Sequence, residues 1–136
     1  MSVSIPDDTL IVVADGHGAT LLRAKNKGDG LSLKEERQLT PSNLADEGPS
    51  GHRPEEQSPR QTDEATFAKQ LAELLYKMRH GGKYEHMVLA ADPQTLGQVR
   101  AALHKTVEAS IVMSIDKELM GQSVSELETT IHKAAA

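Results

Sequence analysis

Four consecutive apolar residues, Leu10-Ile11-Val12-Val13, lead through Ala14 into Asp15-Gly16-His17-Gly18. No other stretch restricts the fold as much. A continuous run rich in β-branched side chains leaves no polar face for water, so it reads as a strand covered on both faces. The DGHG segment then reverses the chain. Its two glycines are read as supplying the positive φ that a tight turn uses. Ala19 to Ala24 returns as a second strand, which gives a hairpin with its first strand deep in a sheet.

The rest of the chain can be placed around that hairpin. Leu31 to Leu39 alternates at its start and turns polar, as an edge-like third strand does, and Gly28-Asp29-Gly30 makes the turn before it. Thr62 to His80 reads as a helix, because Phe67, Leu71, Leu74, Leu75 and Met78 share one face. Acids open this helix (Asp63, Glu64) and bases close it (Lys77, Arg79, His80), matching the helix dipole. Gly81-Gly82 ends it. Met87 to Ala91 reads as a short buried strand. Asp92-Pro93 is an N-cap followed by proline at the first helical position, opening a helix that runs to about His104. Ile111 to Ile115 reads as another buried strand. Ser123 and Glu126 form a capping box for a last helix carrying Val124, Leu127 and Ile131.

The order β-β-β-α-β-α-β-α predicts an α/β protein with a mixed five-stranded sheet and helices packed on it. The first strand lies beside the Met87 strand, in the middle. By pattern this is a ribonuclease H-like arrangement. The 136 residues suffice for one domain with a real core. There is no cysteine, which rules out disulfides and thiolate chemistry and fits a reducing cytoplasm. The N-terminus lacks the basic and apolar regions of a signal peptide, and no apolar run is long enough to span a bilayer, so no membrane partner is expected.

Thr40 to Gln61 breaks the pattern. It holds four prolines (Pro41, Pro49, Pro54, Pro59) and, apart from Leu44 and Ala45, nothing apolar. It reads as a long flexible loop, either solvated and disordered or ordering on a partner. The chain's net charge is −5, and residues 41–64 carry six acids against Arg53 and Arg60. An acidic chain is a poor generic binder of nucleic acid, and no DNA partner is expected. With only Phe67, Tyr76 and Tyr84 as aromatics, the composition argues against a base-stacking platform.

Two constellations bear on chemistry. Asp15, Asp92 and Asp116 each follow an apolar strand. If those strands run parallel, the three carboxylates share one rim, where Mg²⁺ or Mn²⁺ can be held for phosphodiester cleavage. The plainer reading makes Asp15 a turn residue, Asp92 a helix cap and Asp116 a strand end. His17 in the turn is either an exposed turn residue or a general base or ligand. The other histidines show no HxH or HExxH spacing, and no phosphate-binding loop or nucleophile elbow is present.

Several stretches together resemble a known family: VVADGHGATLLRA (Val12–Ala24), Gly51-His52-Arg53-Pro54, ATFAKQLAELL (Ala65–Leu75), YEHMVLAADPQTLGQVRAAL (Tyr84–Leu103) and SIDKELMGQSVSELETTI (Ser114–Ile131). The chain resembles the bacterial host attachment protein family, which is related to the central domain of archaeal and eukaryotic peptide release factors. The resemblance implies the release-factor domain fold, which agrees with the element order above. It also implies attachment to host cells as a process. In release factors a Gly-Gly-Gln tripeptide sits on the loop before the first long helix. Thr40–Gln61 takes that place here and contains no Gly-Gly-Gln, so no catalytic residue carries over.

The expectation is thus a cytoplasmic binding module without a cofactor, working on ribosomes, RNA or a protein partner. Arg53 and Arg60 would contact phosphate, with His52, Asp15 and His17 as further candidate binding residues. The alternative is a metal-dependent phosphodiesterase or nuclease using Asp15, Asp92 and Asp116 with Mg²⁺ or Mn²⁺.

Overall fold

The computed structural model describes residues 5–28, 30–40 and 64–135. His52, Arg53, Arg60 and the loop reading of 41–61 fall outside the described residues. The element order is β1 (Leu10–Ala14), β2 (Ala19–Lys27), β3 (Gly30–Leu39), α1 (Glu64–His80), β4 (Met87–Ala91), α2 (Pro93–Ala102), α3 (Lys105–Glu108), β5 (Ile111–Ile115) and α4 (Val124–Ala135).

The sheet is mixed, open and ordered β3-β2-β1-β4-β5. Strands β1, β2 and β3 form an antiparallel meander, while β4 pairs parallel to β1 and β5 parallel to β4. The central position of β1, beside the Met87 strand, agrees with its continuous apolar run. Leu10, Val12 and Ala14 face the core built on α1 and α2, with Phe67, Leu71, Leu75, Leu96 and Val99. Ile11 and Val13 face the other core, with Ile5, Leu119, Leu127 and Ile131. Each side chain of the run therefore meets a covering layer, and burial of each Leu, Ile or Val contributes roughly 1.5–3 kcal/mol.

Three local expectations are corrected. Strand β5 is not buried: Ile111 to Ser114 are only half-buried, because β5 lies at the end of the sheet with a neighbour on one side. The helix opened by Pro93 stops at Ala102, where Leu103 turns extended (ψ 138°), and His104 caps the separate α3. The described glycines with positive φ are Gly28, Gly82 and Gly121, and the DGHG pair is not among them.

The opposite edge, β3, is defended by charge. Lys34, Glu35, Glu36 and Arg37 stand along it, and the Leu33 N–H donates to Glu128 Oε2 of α4 at 2.8 Å. Charges and side-chain partners of this kind block strand addition at a sheet edge.

Candidate functional site

Because β1, β4 and β5 run parallel, their carboxyl ends share one rim, the usual ligand side of an open α/β sheet. Ala14 is in register with Ala91, and Ala90 with Ile115, so Asp15, Asp92 and Asp116 leave the sheet side by side. The side chains of the first two are engaged elsewhere. Asp15 Oδ1 accepts from the His17 N–H at 2.7 Å and the Gly18 N–H at 2.8 Å. Asp92 Oδ2 accepts from the Thr95 N–H at 3.1 Å, capping α2. Asp116 is exposed beyond β5 and borders a separate cleft with Lys117, Thr130 and Lys133. Among the described residues no group of three or more His, Cys, Asp or Glu side chains is gathered to hold a metal ion.

The turn itself is closely tied. The Asp15 N–H donates to the Gly18 carbonyl at 2.9 Å, and the Asp15 carboxylate returns two bonds to the turn's amides. An aspartate here pins the loop as an Asx turn, which explains the residue type without a ligand. Gly18 is favoured for space rather than for φ, since a Cβ there would lie a tight 3.1 Å from the Leu39 carbonyl oxygen at the end of β3. His17 is exposed at the tip of this turn.

Beside the turn lies a cleft of about 550 Å³. One side carries Asp15, His17, Thr20, Gln38 and Thr40, and the other is the 119–124 segment leading into α4. The two sides touch where Thr20 Oγ1 donates to Met120 Sδ at 3.8 Å. Gly121, at φ 93°, turns the chain after Met120. Then the capping box closes the entrance to α4: the Ser123 N–H donates to Glu126 Oε1 at 2.9 Å, and the Glu126 N–H to Ser123 Oγ at 3.1 Å. Bonds from the Ser123 amide and hydroxyl hold the Glu126 carboxyl below its ordinary value. The cleft offers hydroxyl and amide groups over an apolar wall of Leu39, Leu119 and Val124, a lining that binds by shape and hydrogen bonding.

Of the sequence-derived site residues, the structure thus brings Asp15 and His17 to one cleft, sets Asp92 and Asp116 along the same rim, and does not describe His52, Arg53 and Arg60. Thr40, the last described residue before 41–63, lines the cleft. Sequence reasoning missed the 119–124 wall. Its contact with Thr20 joins residues 100 apart, and no local pattern announces such a pair.

No helix among the described residues is long and apolar enough to cross a membrane. Comparison with curated proteins finds no match to this chain. Comparison with protein families finds a match over residues 8–131, from the start of the hairpin into the last helix. On that match, which spans all five strands and agrees with the release-factor relationship read from the sequence, the chain belongs to bacterial archaeo-eukaryotic release factor family 12.

Proposed function

We propose that this chain is a non-catalytic module that associates with the ribosome through RNA and works in the cytoplasm as a single domain of ribonuclease H-like arrangement. The observation that carries this reading is membership of a release-factor family in a chain that has no Gly-Gly-Gln. Membership of a release-factor family favours the ribosome as the partner. The missing tripeptide removes the group that would act on peptidyl-tRNA, and Gly81-Gly82-Lys83 follows α1 rather than preceding it.

In this reading the working face is the rim of β1 with the DGHG turn, the cleft beside it and the 41–63 segment that follows Thr40. Arg53 and Arg60 contact RNA phosphates, where two guanidinium groups give bidentate, salt-sensitive bonds. His52, Asp15 and His17 border the same contact. No cofactor is needed. Attachment to host cells, the process suggested by the sequence resemblance, is then an indirect consequence of an effect on translation.

The loop is tested by the double variant Arg53→Ala/Arg60→Ala. Retention on purified ribosomes should fall at least tenfold relative to wild type. Unchanged retention would remove the two arginines from the interface.

A further inference from the structure

The end of the molecule away from the cleft carries a feature that the composition conceals. Helix α1 descends from the rim to His80 and leads into the start of β4, so its last turn lies at the opposite end of the sheet. There Tyr76, at 36% exposure, is the large hydrophobic side chain that stands out to solvent among the described residues. Its ring centroid lies 4.1 Å from that of His80, one turn along α1, and 4.8 Å from that of His104, between α2 and α3. The two imidazoles are 6.4 Å apart and nearly perpendicular. All three residues are exposed.

The cluster is held by tertiary structure. His104 is the N-cap of α3, and its Nδ1 accepts from the Thr106 N–H at 3.2 Å, which fixes the ring. Tyr76 and His80 are fixed relative to each other by their i, i+4 spacing on α1. An exposed tyrosine kept between two imidazoles has less freedom to lose on binding than one on a bare helix face.

Local charge says what would bind. The chain as a whole carries −5, but the residues beside the cluster in the chain are Lys77 and Arg79 on α1 and Arg100 and Lys105 next to His104, against two acids, Glu73 one turn before Tyr76 and Glu108. Arg100 lies 3.8 Å from Glu108, a half-exposed pair that does not cancel the excess. An exposed aromatic face flanked by cations is how proteins take single-stranded nucleic acid: bases stack on the ring and phosphates meet the cations. An apolar protein partner would have no use for the surrounding charge.

We infer that the Tyr76–His80–His104 cluster is a stacking site for an unpaired RNA base, with Arg100 and Lys105 as flanking phosphate contacts. The inference rests on the ribosome-associated reading above and adds a second contact, at the far end of the sheet from the DGHG cleft. It also revises the expectation drawn from the few Phe, Trp and Tyr residues, because that count leaves out imidazole rings that complete a platform around one tyrosine.

The test titrates a dye-labelled single-stranded oligouridine, and a labelled duplex RNA of the same length, with the full chain and each variant, following fluorescence anisotropy, and records tyrosine fluorescence of the wild type alongside. The chain has two tyrosines and no tryptophan, and Tyr84 is 3% exposed, so the quench reports Tyr76. The single strand should quench the signal, and the duplex should not. Tyr76→Leu should weaken binding about tenfold, the loss of one stacked base, while Tyr76→Phe should keep it. Lys105→Glu should weaken binding and flatten its salt dependence. Equal affinity of Tyr76→Leu and wild type would overturn the site. Sedimentation of wild type with ribosomes, without any oligouridine binding, would overturn it too and leave the ribosome reading standing. If Tyr76→Leu instead abolished sedimentation while no RNA bound, the occupant would be a ribosomal protein, and the RNA assignment would fall.

Discussion

Glu36 is the extra residue of a β-bulge between β2 and β3, and its carboxylate receives two bonds from Arg23, at 3.0 and 3.3 Å. The register runs Leu21 to Arg37 and then Leu22 to Glu35, so Glu36 faces no partner on β2. A bulge re-aims the side chain it carries. Here the re-aimed carboxylate meets a guanidinium that also donates to the Asp8 carbonyl at 3.1 Å and the Lys83 carbonyl at 2.9 Å. Arg23 thereby ties the N-terminal segment, β2, β3 and the α1–β4 connection together.

Arg23 is therefore a structural clasp, and the two members of its ion pair should behave unequally. Arg23→Ala leaves two carbonyls and a carboxylate without their donor and should cost about 2 kcal/mol by urea denaturation. Glu36→Gln keeps an acceptor at the site, which is 37% exposed, and should cost under about 1 kcal/mol. Equal losses would mean that the ion pair, and not the carbonyl bonds, carries the effect.

The turn at Asp15 can be tested for whether its carboxylate serves amides or a cation. Asparagine retains the oxygen that accepts both amides, so Asp15→Asn should stay within about 0.5 kcal/mol of wild type, whereas Asp15→Ala should lose about 1 kcal/mol. Gly18→Ala should cost about 1–3 kcal/mol through the close approach of the Leu39 carbonyl. Millimolar Mn²⁺ should leave the amide signals next to Asp15, Asp92 and Asp116 unbroadened. Joint broadening of all three would restore the carboxylate rim as a metal site.

Much of this architecture was legible in the sequence, for reasons that differ by element. The run Leu10–Val13 announced a central strand because burial on both faces leaves a continuous apolar signature. Asp92-Pro93 and Ser123–Glu126 announced helix starts because capping is chemistry between near neighbours. The status of β5 was not legible. IVMSI looks like a core strand, and only the sheet order makes it an edge. Nor could the sequence show the break at Leu103, where the helical pattern continues while the backbone turns extended to let His104 cap α3. The Arg23 clasp and the Tyr76–His104 contact join distant segments, and no spacing rule reaches them.

Two groups give stability a pH dependence of opposite sign. Burial pushes the Tyr84 hydroxyl up to about 12 from its ordinary 10.0, and the hydroxyl donates to the Leu75 carbonyl at 2.8 Å. Its contribution is complete below pH 10.0 and is lost as pH rises toward about 12. Tyr84→Phe should cost about 1 kcal/mol at neutral pH and flatten the alkaline limb of the unfolding curve.

At the acid end, Glu126 is held below its ordinary 4.5 by the Ser123 amide and hydroxyl. That contribution is complete above pH 4.5 and fades as pH falls through the lowered value. The stability difference between wild type and Ser123→Ala should narrow over the same range in acid-titrated thermal melts. A difference that did not change with pH would show that the capping box does not depend on the carboxylate.

A release-factor-family chain without Gly-Gly-Gln should bind the ribosome and release no peptide. Sedimentation of the full chain with ribosomes through a sucrose cushion, at low and at high salt, with peptide release scored on the same ribosomes, measures both properties together. The protein should co-sediment at low salt and be lost from the pellet at high salt, and release should be no faster than without it. Failure to sediment at low salt, or accelerated release, would contradict this reading.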